Sequence, residues 1–84
     1  MGRKLDTKPG GLNPSIEQLQ ARVGANARRA RIKAGLTQIE VAERTGLTPQ
    51  YVGKIENGQQ NVTLATMKLV SDAIGINLIK LFKT

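Results

Sequence analysis

The sequence has 84 residues, 39% of them hydrophobic, with a formal net charge of +7 and a pI of about 10.4. That length sustains one small domain with one core. The lack of cysteine and histidine excludes disulfides, thiol nucleophiles, imidazole bases and zinc sites built on them. The basic balance points to a polyanionic partner, nucleic acid ahead of an anionic membrane.

Residues 1–14, MGRKLDTKPGGLNP, contain two prolines and three glycines and little to bury. They read as a flexible, weakly basic arm, with residues 15–84 as the folded domain. No apolar segment follows the first basic residues, so a secretory signal is not expected. No apolar run approaches membrane-spanning length. A cytoplasmic protein without a membrane partner is the expectation.

Helix signals begin after Pro14. Ser15 and Gln18 have capping-box spacing, and Ile16, Leu19, Val23, Ala27 and Ala30 follow at helical intervals. The first helix is predicted over 16–34, weakened at Gly24 and stopped by Gly35. Thr37 and Glu40 form a second capping box, and Gly46 ends that helix. Thr48 caps a third, with Pro49 at the first helical position, where a missing N–H costs nothing, and Gly58 beyond its end. Thr63 starts a fourth, predicted to turn Leu64, Met67, Val70 and Ile74 inward before Gly75. Asn77 can cap a last short helix ending near Phe82. Nothing alternates with the period of a strand, so the expectation is an all-α chain of five helices.

The stretch GLTPQYVGKIENG, residues 46–58, resembles a phosphate-binding loop only superficially. Such a loop needs four residues between its glycines and Ser or Thr after its lysine. Here six residues separate Gly46 from Gly53, and Lys54 is followed by Ile55. A helix accounts for the pattern better: Val52 and Ile55 face inward, while Gln50, Tyr51, Gly53, Lys54 and Asn57 face out. With the preceding helix and the turn at Gly46, this is either a helix-turn-helix or an ordinary helical hairpin with a solvated face. Spacing alone leaves both open.

Arg31, Thr37-Gln38, Val41-Ala42, Gly46, Ile55-Glu56-Asn57-Gly58, Leu64 and Gly75 stand together in a pattern that resembles the XRE (Cro/CI-like) family of phage-repressor helix-turn-helix proteins. The likeness covers roughly residues 22–82. Within the family, YVGKIENGQQNVTL is similar to a segment of small controller proteins from restriction-modification systems. The resemblance implies a five-helix, lambda-repressor-like domain that binds double-stranded DNA with helix 3 in the major groove. It makes Pro49, Gln50 and Lys54 candidates for base edges, since Gln pairs with adenine and Lys with guanine. Pro49 could touch a thymine methyl, but its place at the first helical position favours a purely structural helix start. Gln38, Thr48, Tyr51 and Asn57 become phosphate candidates, with Tyr51 alternatively a partly packed ring. Gly53 admits two readings, close approach of DNA or simple tolerance of a small residue. Arg31 and Glu56 correspond to a structural ion pair of the family.

The cluster Arg28, Arg29, Arg31 and Lys33 would steer phosphate or simply remain solvated. Arg3, Lys4 and Lys8 would follow a groove or stay loose. Ile39, Leu69 and Ile79 are apolar where the family commonly has polar residues. Leu69, Ile76, Ile79 and Phe82, with Leu81 nearby, are candidates for a homodimer interface or for the closure of a monomeric core. A two-fold dimer would read a palindromic operator. The expectation is a bacterial or phage-encoded transcriptional regulator that occupies a promoter, repressing by excluding RNA polymerase or activating by touching it. The alternative is an antitoxin-type interaction module that also binds DNA. No cofactor, metal or small-molecule ligand is expected. Six acidic residues, scattered among capping, surface and ion-pair positions, form no acid–base pair, so catalysis is not expected either.

Overall fold

The structure, a computed structural model, describes residues 13–83. Four α-helices, α1 (Ile16–Lys33), α2 (Gln38–Thr45), α3 (Pro49–Glu56) and α4 (Leu64–Ile74), precede a 3-10 helix at Leu78–Phe82. The described residues include no strand. The calls on the arm, Arg3, Lys4 and Lys8 among them, lie outside the described residues.

Side-chain caps start every helix. Ser15 accepts the Gln18 N–H while the Gln18 side chain accepts the Ser15 N–H, and Thr37 and Glu40 repeat the arrangement for α2. Thr48 and Thr63 accept the N–H of Tyr51 and Thr66. Each cap satisfies a donor that a helix start leaves orphaned, worth about 1 kcal/mol. The turn between α2 and α3 depends on Gly46, whose φ of 78° lies in the left-handed region. Thr45 locks it, donating to the Val41 carbonyl at 2.8 Å and accepting the Leu47 N–H at 3.2 Å.

The fifth helix differs from expectation. Residues 78–82 form a 3-10 helix, so the count is four α-helices and one tighter turn. The cause is local: Asn77 caps Ile79 only two residues on, and its carbonyl accepts the Lys80 N–H at 2.9 Å. That i→i+3 bond sets the tighter pitch, and five residues are too few to propagate an α-helix. The first helix ends at Lys33, with Ala34 as its cap. Leu64 is a second correction: it opens α4 65% exposed, while Met67, Val70 and Ile74 turn inward.

The core takes Val23 and Ala27 from α1, Val41 and Ala42 from α2, Val52 and Ile55 from α3, and Met67, Val70 and Ile74 from α4. Leu81 closes it from the 3-10 helix at 1% exposure, so this member of the C-terminal apolar cluster belongs to the interior. Asn26 holds the closing segment onto α1 by donating to the Leu81 carbonyl at 2.8 Å.

With aliphatic side chains this small, helices must pack closely. Gly24 is the described glycine at which a Cβ would be most crowded: it would meet the Ile55 carbonyl oxygen far inside contact distance and the Glu56 carbonyl oxygen at 2.8 Å. The glycine that weakens α1 locally lets α1 and the end of α3 touch backbone to side-chain-free backbone. Gln20 adds a bond to the Gly58 carbonyl at 3.2 Å. Gly24→Ala should therefore destabilise the fold by about 1–3 kcal/mol through overpacking, despite a helix-propensity gain of about 1 kcal/mol. Urea unfolding measures this. A midpoint equal to or above wild type would show that the contact is not limiting.

Candidate nucleic-acid interface

The two faces of α3 are sharply divided. Val52 and Ile55 are rooted in the core, and Glu56 is buried with them. Gln50, Lys54 and Asn57 are exposed, at the i, i+4, i+7 spacing of one helical face. Pro49 occupies the first helical position and is half-buried. Thr48 is committed to its cap, with its Oγ1 accepting the Tyr51 N–H at 3.1 Å. Tyr51 is half-buried and packs against the core cluster, as a partly packed ring would.

The start of α2 lies beside the start of α3. Gln38, Pro49 and Gln50 border one open depression, together with Thr37 and Ile39. Lys54, Thr48, Tyr51 and Asn57 do not line it. The Thr37–Glu40 box uses the N–H groups of those two residues, leaving those of Gln38 and Ile39 at the positive end of α2. The Thr37 N–H, with its hydroxyl, holds the Glu40 carboxyl below its ordinary range. A lowered folded pKa means that its contribution is present above the unfolded value and is lost as pH falls through the folded one.

Beneath this surface lies a buried polar network. Arg31 Nε donates to Glu56 Oε2 at 2.7 Å and its Nη2 donates to Glu56 Oε1 at 3.0 Å. Arg31 Nη1 reaches the Leu36 carbonyl at 2.8 Å, and Gln38 Nε2 donates to Glu56 Oε1 at 3.1 Å. The hydrogen bond to Glu56 raises the Arg31 pKa further, against the lowering effect of burial. The guanidinium thus stays charged throughout. The pair joins α1 to the end of α3, and Gln38 brings in α2. Gln38 is therefore held from below by Glu56 while still half-exposed. Sequence spacing carries no sign of this link, because the two residues lie 18 positions apart.

The basic cluster on α1 divides as well. Arg28, Arg29 and Lys33 are exposed, whereas Arg31 is buried in its pair. Arg29 also donates to the Asn26 side chain. Three cations, not four, remain on the surface. Among the described residues no cluster of His, Cys, Asp and Glu is arranged to hold a metal ion. No described helix is long and apolar enough to cross a membrane.

The Helix-turn-helix family model matches residues 28–81. The chain is 39% identical over 59 residues to an uncharacterised HTH-type transcriptional regulator, y4dJ, of Sinorhizobium fredii, covering 70% of this chain and 77% of that one. It is 36% identical over 56 residues to the control protein C.SmaI of Serratia marcescens, 67% of each chain. Its fold resembles the crystal structure of the restriction-modification controller protein C.AhdI of Aeromonas hydrophila, with a TM-score of 0.72 and 35% identity over 75% of this chain and 96% of that one.

Removing one member of the buried pair should be costly. Glu56→Ala strands the Arg31 charge and releases Gln38, and should lower stability by about 3–5 kcal/mol in urea unfolding. Replacing both partners by apolar residues, Arg31→Met with Glu56→Leu, should recover most of that loss. A single variant as stable as wild type would remove the pair from its anchoring role.

Proposed function

The chain belongs to the Helix-turn-helix family, of XRE type, and on that premise we propose that it is a sequence-specific transcriptional regulator of double-stranded DNA that acts as a homodimer. The observation that carries this reading is the exposed Gln50–Lys54–Asn57 face of a helix whose opposite face is anchored in the core. A short rigid helix with outward polar side chains fits the major groove, where each base pair presents its own pattern of donors and acceptors.

In this reading Gln50 and Lys54 meet base edges, with Gln50 suited to adenine and Lys54 to guanine. Pro49 starts the helix and offers an apolar edge to a thymine methyl. Gln38 and the N–H groups at the start of α2 receive phosphate, supported by the positive end of the helix. Thr48 and Asn57 flank α3 and touch the sugar-phosphate, with Tyr51 beside them. Arg28, Arg29 and Lys33 contribute long-range attraction.

The dimer reading rests on the C-terminal end. Leu69, Ile79 and Phe82 are 41%, 64% and 37% exposed, and Ile76 is half-buried at the edge of the core. Association through these residues removes apolar surface from water, and two-fold symmetry gives a palindromic operator with half-sites about 34–36 Å apart. The controller proteins among its relatives favour action at a promoter, through contact with or exclusion of RNA polymerase. Regulation follows from protein concentration through dimerisation, without a small-molecule ligand or catalysis. A cytoplasmic location accords with these roles.

Gln50→Ala should weaken binding to a selected operator by about 1–3 kcal/mol, and binding to random duplex much less. Equal losses on the two duplexes, measured by titration, would remove Gln50 from base reading. Ile79→Asp should shift the protein toward monomer in sedimentation while circular dichroism stays native. An unchanged mass would place the interface elsewhere.

A further inference from the structure

Two glycines sit inside helices, where glycine is disfavoured because its backbone loses the most freedom on ordering. Packing explains Gly24, since Ile55 and Glu56 occupy the space a Cβ would need. Gly53 has no such explanation. It is not among the glycines with positive φ, so its backbone conformation does not require glycine. A Cβ there would stand 3.7 Å from the Gln38 side-chain amide, an ordinary contact, with no backbone atom in the way. Nothing inside the domain demands the missing side chain.

The position supplies a different reason. Gly53 lies three residues after Gln50 and four before Asn57, half-exposed at the edge of the outward stripe of α3 that faces α2. Gln38 borders it and is held in place by its bond to Glu56. Gly53 is itself half-exposed, so a strip of helix backbone without a side chain lies between the Gln38 amide and the exposed Gln50.

We propose that Gly53 is a docking and specificity position: its bare backbone admits the edge of the DNA major groove to close contact with α3, between the reaches of Gln50 and Gln38. The inference rests on the DNA-binding reading above and goes beyond it, because it assigns function to a residue with no side chain to donate or accept. A side chain here holds the helix away from the groove. Neighbouring readers then lose their hydrogen-bond distances even though each is intact.

The test uses the full chain, a duplex enriched by the wild-type protein from a random-sequence library, and a scrambled duplex of the same length. Gly53→Ala should raise the melting temperature of the free protein by roughly 4–8 °C. Its affinity for the enriched duplex should fall about tenfold or more, and that of Gly53→Leu further, while affinity for the scrambled duplex changes little. An alanine variant that is more stable and binds the enriched duplex like wild type overturns the proposal. One that melts below wild type overturns its premise, since the fold itself would then need the glycine. Failure of the wild-type protein to enrich any sequence overturns the DNA-binding reading, and this proposal with it.

Discussion

The buried pair of Arg31 and Glu56 is the constraint on which the rest of the molecule depends. It joins the last turn of α1 to the last turn of α3, and through Arg31 Nη1 and Gln38 Nε2 it also holds the linker at Leu36 and the start of α2. Attraction alone does not make such a pair favourable, because both charges must leave water. The added bonds to the Leu36 carbonyl and the Gln38 amide satisfy further polar groups and make the site a network. Its more definite consequence is geometric. One carboxylate sets the positions of three elements relative to one another, and two of these carry the candidate DNA-contacting surface.

Close packing makes that carboxylate reachable. Gly24 on α1 gives the terminal carbonyls of α3 room to approach, and the turn at Gly58 is drawn to α1 by Gln20. The domain has few large side chains with which to fill space, so it relies on short helices, small residues and near-complete capping. Each cap contributes little alone. Together they allow eight-residue helices such as α2 and α3, which are too short to persist in isolation, to hold fixed directions. A rigid α3 keeps its outward side chains Gln50, Lys54 and Asn57 in fixed register with one another.

Charge follows the same separation of roles. Arg28, Arg29 and Lys33 of α1 stand in solvent, where salt screens their charge, whereas Arg31 is withdrawn into structure. The middle of the chain, which holds α2 and α3, carries a slight negative excess. Its exposed face on α3 accordingly presents mainly neutral donors and acceptors, with one lysine, Lys54, while the cations of the α1 cluster lie elsewhere on the surface.

Much of this was legible in the sequence, because helix starts and stops are local chemistry. Ser15-x-x-Gln18, Thr37-x-x-Glu40, Thr48-Pro49 and the glycines after each helix act within four residues, so their effects can be read without a fold. The inward and outward faces of α3 follow likewise from the helical period. The sequence could not decide the tight pitch at 78–82, which turns on competing short hydrogen bonds at Asn77, nor the exposure of Leu64, which depends on where the core ends. Only the tertiary structure showed that Leu81 closes the interior, that Gln38 hangs from Glu56, and that packing excludes a Cβ at Gly24 but not at Gly53. These are relations between residues far apart in the chain, and local periodicity carries no information about which distant atoms will occupy the space beside a given Cα.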